Sequence, residues 1–348
     1  MEFWGDNLQN LEKSLREIFI PDGYSDDIYI KCLYWIKTGD HSIFKEEELA
    51  KLRVFLQVDQ AGAEALILAY DCDPGDYREL FRQKIKVHSY VALKLFKDVW
   101  KTRCRQAGSI SVDIDTLVST PIHLLKSNPE WKELDSVIRE SDNWPADQRY
   151  YYFAKQTCHS ANYDIQKDTF RFNVLEKSDG KVVLSREDAE YFLTTYRNIL
   201  FPEISARIKR VREQVKATKL LYNFFGFPYQ ITSHNITETD YKKYYAWSPQ
   251  STVGEITRIA LTRLYYFIKD NKRSWDILAD THDSYLLQVP IPEVREASQK
   301  MQEFINIPFV SPIDGEKFSM RSECQCGFNW APFKKDKNEL GLQELKWL

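Results

Sequence analysis

Two aspartates stand where strands are expected to end, and carboxylates placed that way can hold metal ions. Residues 275–290, WDILADTHDSYLLQVP, read as a β-hairpin. Ile277, Leu278 and Ala279 form a short buried run, Thr281 to Ser284 a tight turn, and Tyr285 to Val289 a second strand closed by Pro290. Asp283 lies at the tip, where a carboxylate on its own is usually solvated and idle. Far upstream, residues 53–58 (RVFLQV) form a mostly apolar, strand-like run that ends in Asp59, and residues 61–70 (AGAEALILAY) read as a helix. On adjacent strands of one sheet the two aspartates would converge. Such a pair holds two Mg²⁺ ions roughly 3.5–4 Å apart, which activate an attacking oxygen and stabilise a leaving one in phosphoryl or nucleotidyl transfer.

A second constellation is Lys155, His159 and Tyr163, spaced by four and so on one face of a helix. Spacing alone describes a partly buried amphipathic helix with a snorkelling lysine. The densest basic run, Arg207, Lys209, Arg210 and Arg212 continuing to Lys216 and Lys219, reads by default as a solvated helix face, with phosphate contact as its alternative.

The elements that must position these groups can be read in outline. Asp73-Pro74-Gly75-Asp76 is a turn, residues 87–96 an amphipathic helix, and residues 109–148 a set of short helices in an insertion. Residues 169–184 alternate and contain Asp179-Gly180, a hairpin signal. Ser185 to Asp188 form a capping box that starts a helix, and a long helix over 204–220 ends at a glycine-proline stop in residues 223–228.

With 348 residues the chain can bury a sizeable core and form more than one domain. Its net charge of −3 gives no global basic signal, so any nucleic-acid surface must be local. Tyr, Phe and Trp are abundant, which suits base stacking and core packing alike. Six cysteines are scattered except for Cys324 and Cys326, without zinc spacing, and read as reduced thiols of a cytoplasm-like compartment. No apolar run approaches the roughly 20 residues of a membrane span, and the N-terminus lacks a targeting pattern.

QVDQAGAEALILAY resembles motif A of the family-A DNA polymerases (the DNA polymerase I type), and THDSYLLQVP resembles their motif C. AKQTCHSANYD is similar to motif B, the fingers helix that binds the incoming nucleotide. GDNLQN followed by LREIFIPDG, His88-Ser89, YKKYYAWSPQSTVGEI, and the terminal Phe318-Ser319-Met320 and Gly327-Phe328-Asn329-Trp330 resemble further family segments. These fall in the family's order over nearly the whole chain.

The resemblance implies an α+β fold, an antiparallel palm sheet with a largely helical fingers insertion. Palm would occupy residues 1–70 and 241–348, and fingers residues 71–240, with thumb and exonuclease domains absent. It implies template-directed DNA synthesis from primer-template DNA and deoxynucleoside triphosphates, with two Mg²⁺ ions bridged by Asp59 and Asp283 and helped by the Gln60 carbonyl. Glu64 would exclude a 2′-hydroxyl, Lys155 meet the triphosphate, His159 stack on the base and Tyr163 guard the template position. Asn7, Gln9 and Asn10 would lie on the DNA, Gln250, in a proline- and glutamine-containing turn (residues 249–252), would test the minor groove, and His282 would orient the primer end.

Five positions depart from the family pattern: Lys86 and Val87 stand in place of an aspartate and an isoleucine, Tyr151 replaces an arginine, Asp164 a glycine and Ser284 a glutamate. Similar His-Asp-Ser and Lys-x-x-x-His-x-x-x-Tyr variants in viral members suggest a phage-like chain, in a host cytoplasm and not at a membrane. Two other readings stay open: half of a split polymerase whose second polypeptide supplies thumb and exonuclease, and a catalytically silent nucleic-acid-binding remnant.

Overall fold

A computed structural model describes residues 15–60, 62–107 and 112–348. The first helices are α1 (Tyr29–Thr38) and α2 (Glu46–Lys51), followed by strand β1 (Arg53–Gln60) and α3 (Ala63–Asp71). Then come α4 (Asp76–Arg82), α5 (Val87–Leu95), α6 (Lys97–Ala107), α7 (Ile114–Ser119), α8 (Ile122–Leu125) and α9 (Pro129–Glu140). Next are α10 (Tyr150–Asn162), α11 (Lys167–Lys177), α12 (Arg186–Thr194), α13 (Pro202–Thr218), strands β2 (Leu220–Tyr222) and β3 (Pro228–Gln230), and α14 (Glu238–Asp270). The chain closes with β4 (Asp276–Asp280), β5 (Ser284–Pro290), α15 (Val294–Ile305), β6 (Pro308–Val310), β7 (Lys317–Ser319) and β8 (Ser322–Gly327). Fold and class are therefore mixed α and β, with an antiparallel sheet. No described helix is long and apolar enough to cross a membrane.

The residues divide into two compact units. The first comprises the chain up to Glu64, residues 250–310 and residues 316–348; the second comprises residues 65–249 and 311–315.

The first unit is built on a four-stranded antiparallel sheet in the order β4-β5-β1-β8. Val54, Leu56 and Val58 alternate with Phe55, Gln57 and Asp59 along β1, so the two sets face opposite sides. Helix α15 buries Val294, Ala297, Ser298, Met301 and Ile305, a helical stripe, and packs on β1, β5 and β8. Phe55 and Leu286 pack with Trp330 and Leu342 from the C-terminal segment. That segment runs back over β8, where Cys326 pairs with Gln343, and a Cβ at Gly327 would lie 2.7 Å from the Gly341 backbone. Strand β5 is buried along its length, whereas β4 is an edge strand with Ile277 and Leu278 exposed and a bulge between Ile277 and Ala279. The buried run expected at 277–279 is thus corrected: an edge strand lacks a neighbour to cover its outer side.

The second unit is helical. Helix α5 buries seven of its nine residues and so is not amphipathic as expected. The hairpin expected at 169–184 is also corrected, because α11 occupies this stretch with Phe170 and Val174 buried one turn apart. Asp179 and Gly180 take left-handed backbone, and the Gly180 N–H donates to the Leu175 carbonyl at 2.9 Å, ending the helix as a C-cap. Helix α13 stops at Thr218, earlier than expected, and residues 223–227 turn between β2 and β3 with Asn223 Oδ1 accepting from the Phe225 and Phe227 N–H groups. Residues 311–315 belong here because Ser311 Oγ donates to the Tyr70 carbonyl and Asp314 pairs with buried Arg78.

Residues 249–252 form no turn. Helix α14 continues through Pro249. Proline has no N–H to give the carbonyl four residues back, which costs a helix one bond. That carbonyl, of Tyr245, accepts instead from Arg207 Nη2 at 3.0 Å.

Candidate active site

The first unit brings Asp59 of β1 beside the turn that carries Asp283. Strands β1 and β5 pair antiparallel with Asp59 opposite Ser284, and the Gln60 N–H donates to the Asp283 carbonyl at 3.0 Å. Asp283 sits in the turn just before β5 and is exposed; Asp59 and Glu64, in the first turn of α3, are half-buried. Ser284 is buried and pairs through its hydroxyl with Thr281 Oγ1, so this side chain closes the turn.

Negative charge gathers here. Although Asp283 is exposed, the protein packed around it pushes its pKa above the usual carboxylate range; Glu64 adds to the rise and His282 opposes it. On the other side of Asp59 the register places Glu323 of β8 directly opposite, a residue with no motif to flag it in the sequence. Like charges at facing positions destabilise a sheet unless a cation intervenes. Among the described residues no group of three His, Cys, Asp or Glu side chains forms a ready-made metal cage. Two aspartates one register position apart suit a hard cation that keeps water and substrate oxygens in its shell.

His282 takes left-handed backbone, φ 70°, with its N–H on Asp280 Oδ1 at 3.0 Å. Gln250, Gly254 and Thr257 share one face of α14. Gln250 is exposed, and a Cβ at Gly254 would stand 3.4 Å from His282 Nδ1. Asn7, Gln9 and Asn10 lie outside the described residues.

In the second unit α10 is buried over most of its surface, yet Lys155 and His159 are exposed and Tyr151 and Tyr163 half-exposed, one open stripe at a spacing of four. Tyr163 is the residue just past the last helical turn. His88 of α5, absent from the site expected on sequence, lies 5.9 Å from the His159 ring and 5.7 Å from that of Tyr151. Burial first, then His159, Lys155 and Lys86, pull the His88 pKa down to about 3. Two lysines, Lys155 and Lys86, thus act on one half-buried ring, a field that favours an anion. Asp164 occupies left-handed backbone, φ 54°, the conformation for which glycine is suited, and is pinned by Arg197.

The basic run on α13 is neither a free solvated face nor a phosphate surface throughout. Arg207 is buried on Asp71 at 2.7 Å, Arg210 binds the Asp71 carbonyl, and Arg212 binds Tyr245 Oη and Glu238. The described cysteines are free and buried, Cys324 and Cys326 within β8.

The polymerase domain of Pol1 from M. smegmatis, solved with DNA primer-template and dNTP, superposes with a TM-score of 0.57 at 18% identity. The chain has a polymerase-domain fold. The match covers 94% of this chain and 45% of that one, so the chain spans less than half the length of this neighbour. No protein-family model and no curated protein matches the sequence.

Proposed function

We propose that this chain is a template-directed DNA polymerase of the family-A kind, which adds deoxynucleotides to a primer 3′-hydroxyl. The observation that carries this reading is the β1–β5 register, which sets Asp59 within one residue of Asp283 across the strands. The shared fold with a domain solved on primer-template and dNTP supports it. In this reading the first unit is the palm and the second the fingers.

Asp59, Asp283 and the Gln60 carbonyl would hold two Mg²⁺ ions, which when bound supply activation of the hydroxyl and neutralisation of phosphate charge. The chain's own groups do the positioning. Lys155, a mobile point charge beside His159 and His88, receives the triphosphate, and His159 and Tyr163 take the base and the template position. Glu64 fills the space of a 2′-hydroxyl. Gln250 donates to minor-groove acceptors that every base pair presents, and His282 orients the primer end. Asn7, Gln9 and Asn10 would contact DNA. A second polypeptide could bring a thumb and exonuclease, and a phage-like origin accords with the His-Asp-Ser triplet.

The silent-remnant reading draws on Ser284, whose hydroxyl is committed to Thr281. The test is primer extension with Mg²⁺ and all four deoxynucleotides, run beside Asp59→Ala and Asp283→Ala. Extension by the wild type and loss of roughly 10³-fold or more in either variant is expected. Equal extension by a variant would overturn the two-carboxylate site. Wild-type silence with intact primer-template binding would favour the remnant.

A further inference from the structure

We propose that Thr257 of α14, with the side chain of Gln60, is a positioning pair that fixes the Asp283 turn; the functional part rests on the reading of Asp283 given above. Both side chains are almost fully buried, Gln60 at 2% and Thr257 at 0% exposure. Gln60 Nε2 donates to Thr257 Oγ1 at 2.7 Å, and Thr257 Oγ1 donates to the His282 carbonyl at 2.7 Å. The two bonds form a directional relay. A hydroxyl has one proton, and Gln60, by donating to the oxygen, leaves that proton for a carbonyl; His282 at 2.7 Å is the nearer of the two in reach, the other being Val253 one turn back at 3.3 Å.

The His282 carbonyl belongs to the peptide that carries the Asp283 N–H. Holding it sets the plane of that peptide, and so the direction in which Asp283 leaves the turn. The Asp283 N–H donates to the Thr281 carbonyl at 2.9 Å, and its own carbonyl accepts from the Gln60 N–H at 3.0 Å. Gln60 therefore acts on this turn twice, through its main chain on Asp283 and through Thr257 on His282. His282 sits in a backbone region that non-glycine residues seldom occupy, and such a conformation persists only when surrounding bonds impose it.

The amide orientation follows from the relay. Turned over, Gln60 Oε1 would compete with the His282 carbonyl for the hydroxyl proton. As placed, Oε1 is buried with no hydrogen-bond partner among the described residues. An apolar side chain of similar volume would avoid that orphan acceptor. The amide's contribution is thus to the turn and not to core packing.

The test compares Thr257→Val, which keeps shape and loses the hydroxyl, with Thr257→Ser, which keeps the hydroxyl, and Thr257→Ala serves if the valine variant does not fold. Two readouts are taken on the full chain: hydrogen exchange of the peptide spanning the 281–284 turn, and single-nucleotide incorporation. Faster turn exchange in Thr257→Val, a kcat lower by ~10–100-fold with the nucleotide KM within about twofold, and near wild-type behaviour of Thr257→Ser are expected. Unchanged turn exchange in Thr257→Val would overturn the clamp. So would equal damage in the serine and valine variants, since that reports packing. If the wild type incorporates nothing, the polymerase reading fails while exchange still decides the clamp.

Discussion

Single residues in this protein are set by charge and by what surrounds them. Glu64 touches the Asp283 carboxyl electrostatically and stands in the first turn of α3. If it fills the sugar-side space, Glu64→Ala should raise ribonucleotide incorporation relative to deoxynucleotide by roughly 10-fold or more, about the worth of one steric or polar contact. Unchanged sugar selectivity would make Glu64 only a neighbour of the site. His88 gives a prediction about pH. Its folded pKa of about 3 lies below the ordinary 6.5, so the unfolded chain binds the proton more tightly. The stability tied to neutral His88 is complete above pH 6.5 and is lost as pH falls towards 3. Unfolding free energy should drop by about 1–2 kcal/mol between pH 7 and 5 on this account. Denaturant titrations of wild type and His88→Asn at both pH values test it; parallel losses would remove His88 from the explanation.

At the scale of elements, α14 shows how one side chain allows a helix to pass through a proline. Arg207 Nη2 takes the Tyr245 carbonyl that Pro249 cannot serve, and Nε pairs with Asp71 in a buried setting. Removing one member of such a network leaves buried polar groups unpaired, so Arg207→Met should cost about 3–5 kcal/mol. Adding Pro249→Ala restores an N–H for the Tyr245 carbonyl and should recover about 1 kcal/mol of the loss. Strict additivity of the two changes in a double-mutant cycle would exclude the splint. The same reasoning explains why the basic run is not a free face throughout: three of its arginines already have partners inside the chain.

At the scale of the molecule, the first unit is assembled from three separated stretches of sequence. Its sheet needs β1 from one, β4 and β5 from another and β8 from a third. The chain's last residues close this unit on α1. Trp347 Nε1 donates to the Ile36 carbonyl at 2.9 Å, its ring lies 5.1 Å from that of Trp35, and a Cβ at Gly39, φ 73°, would meet it at 2.7 Å. Because Trp347 is half-buried, Trp347→Ala should cost about 2–3 kcal/mol, below the range for a fully buried tryptophan. A lower denaturant midpoint with an unchanged slope would report that loss; an unchanged midpoint would show the contact to be idle.

Local signals in the sequence determined a good deal. The strand that carries Asp59, the capping Ser185 and the four-residue stripe of α10 could be read from residue type and spacing, because each depends on neighbours within a turn or two. Tertiary structure decided what those signals could not carry. Asp179-Gly180 suits a hairpin or a helix stop, and burial of Phe170 and Val174 selected the stop. Pro249 suits a turn, and a buried arginine from another helix kept the helix whole. Glu323 beside Asp59, and Thr257 beneath His282, depend on strand register and on contacts between residues far apart in sequence. Neither follows from any local pattern, since register and packing are properties of the folded sheet.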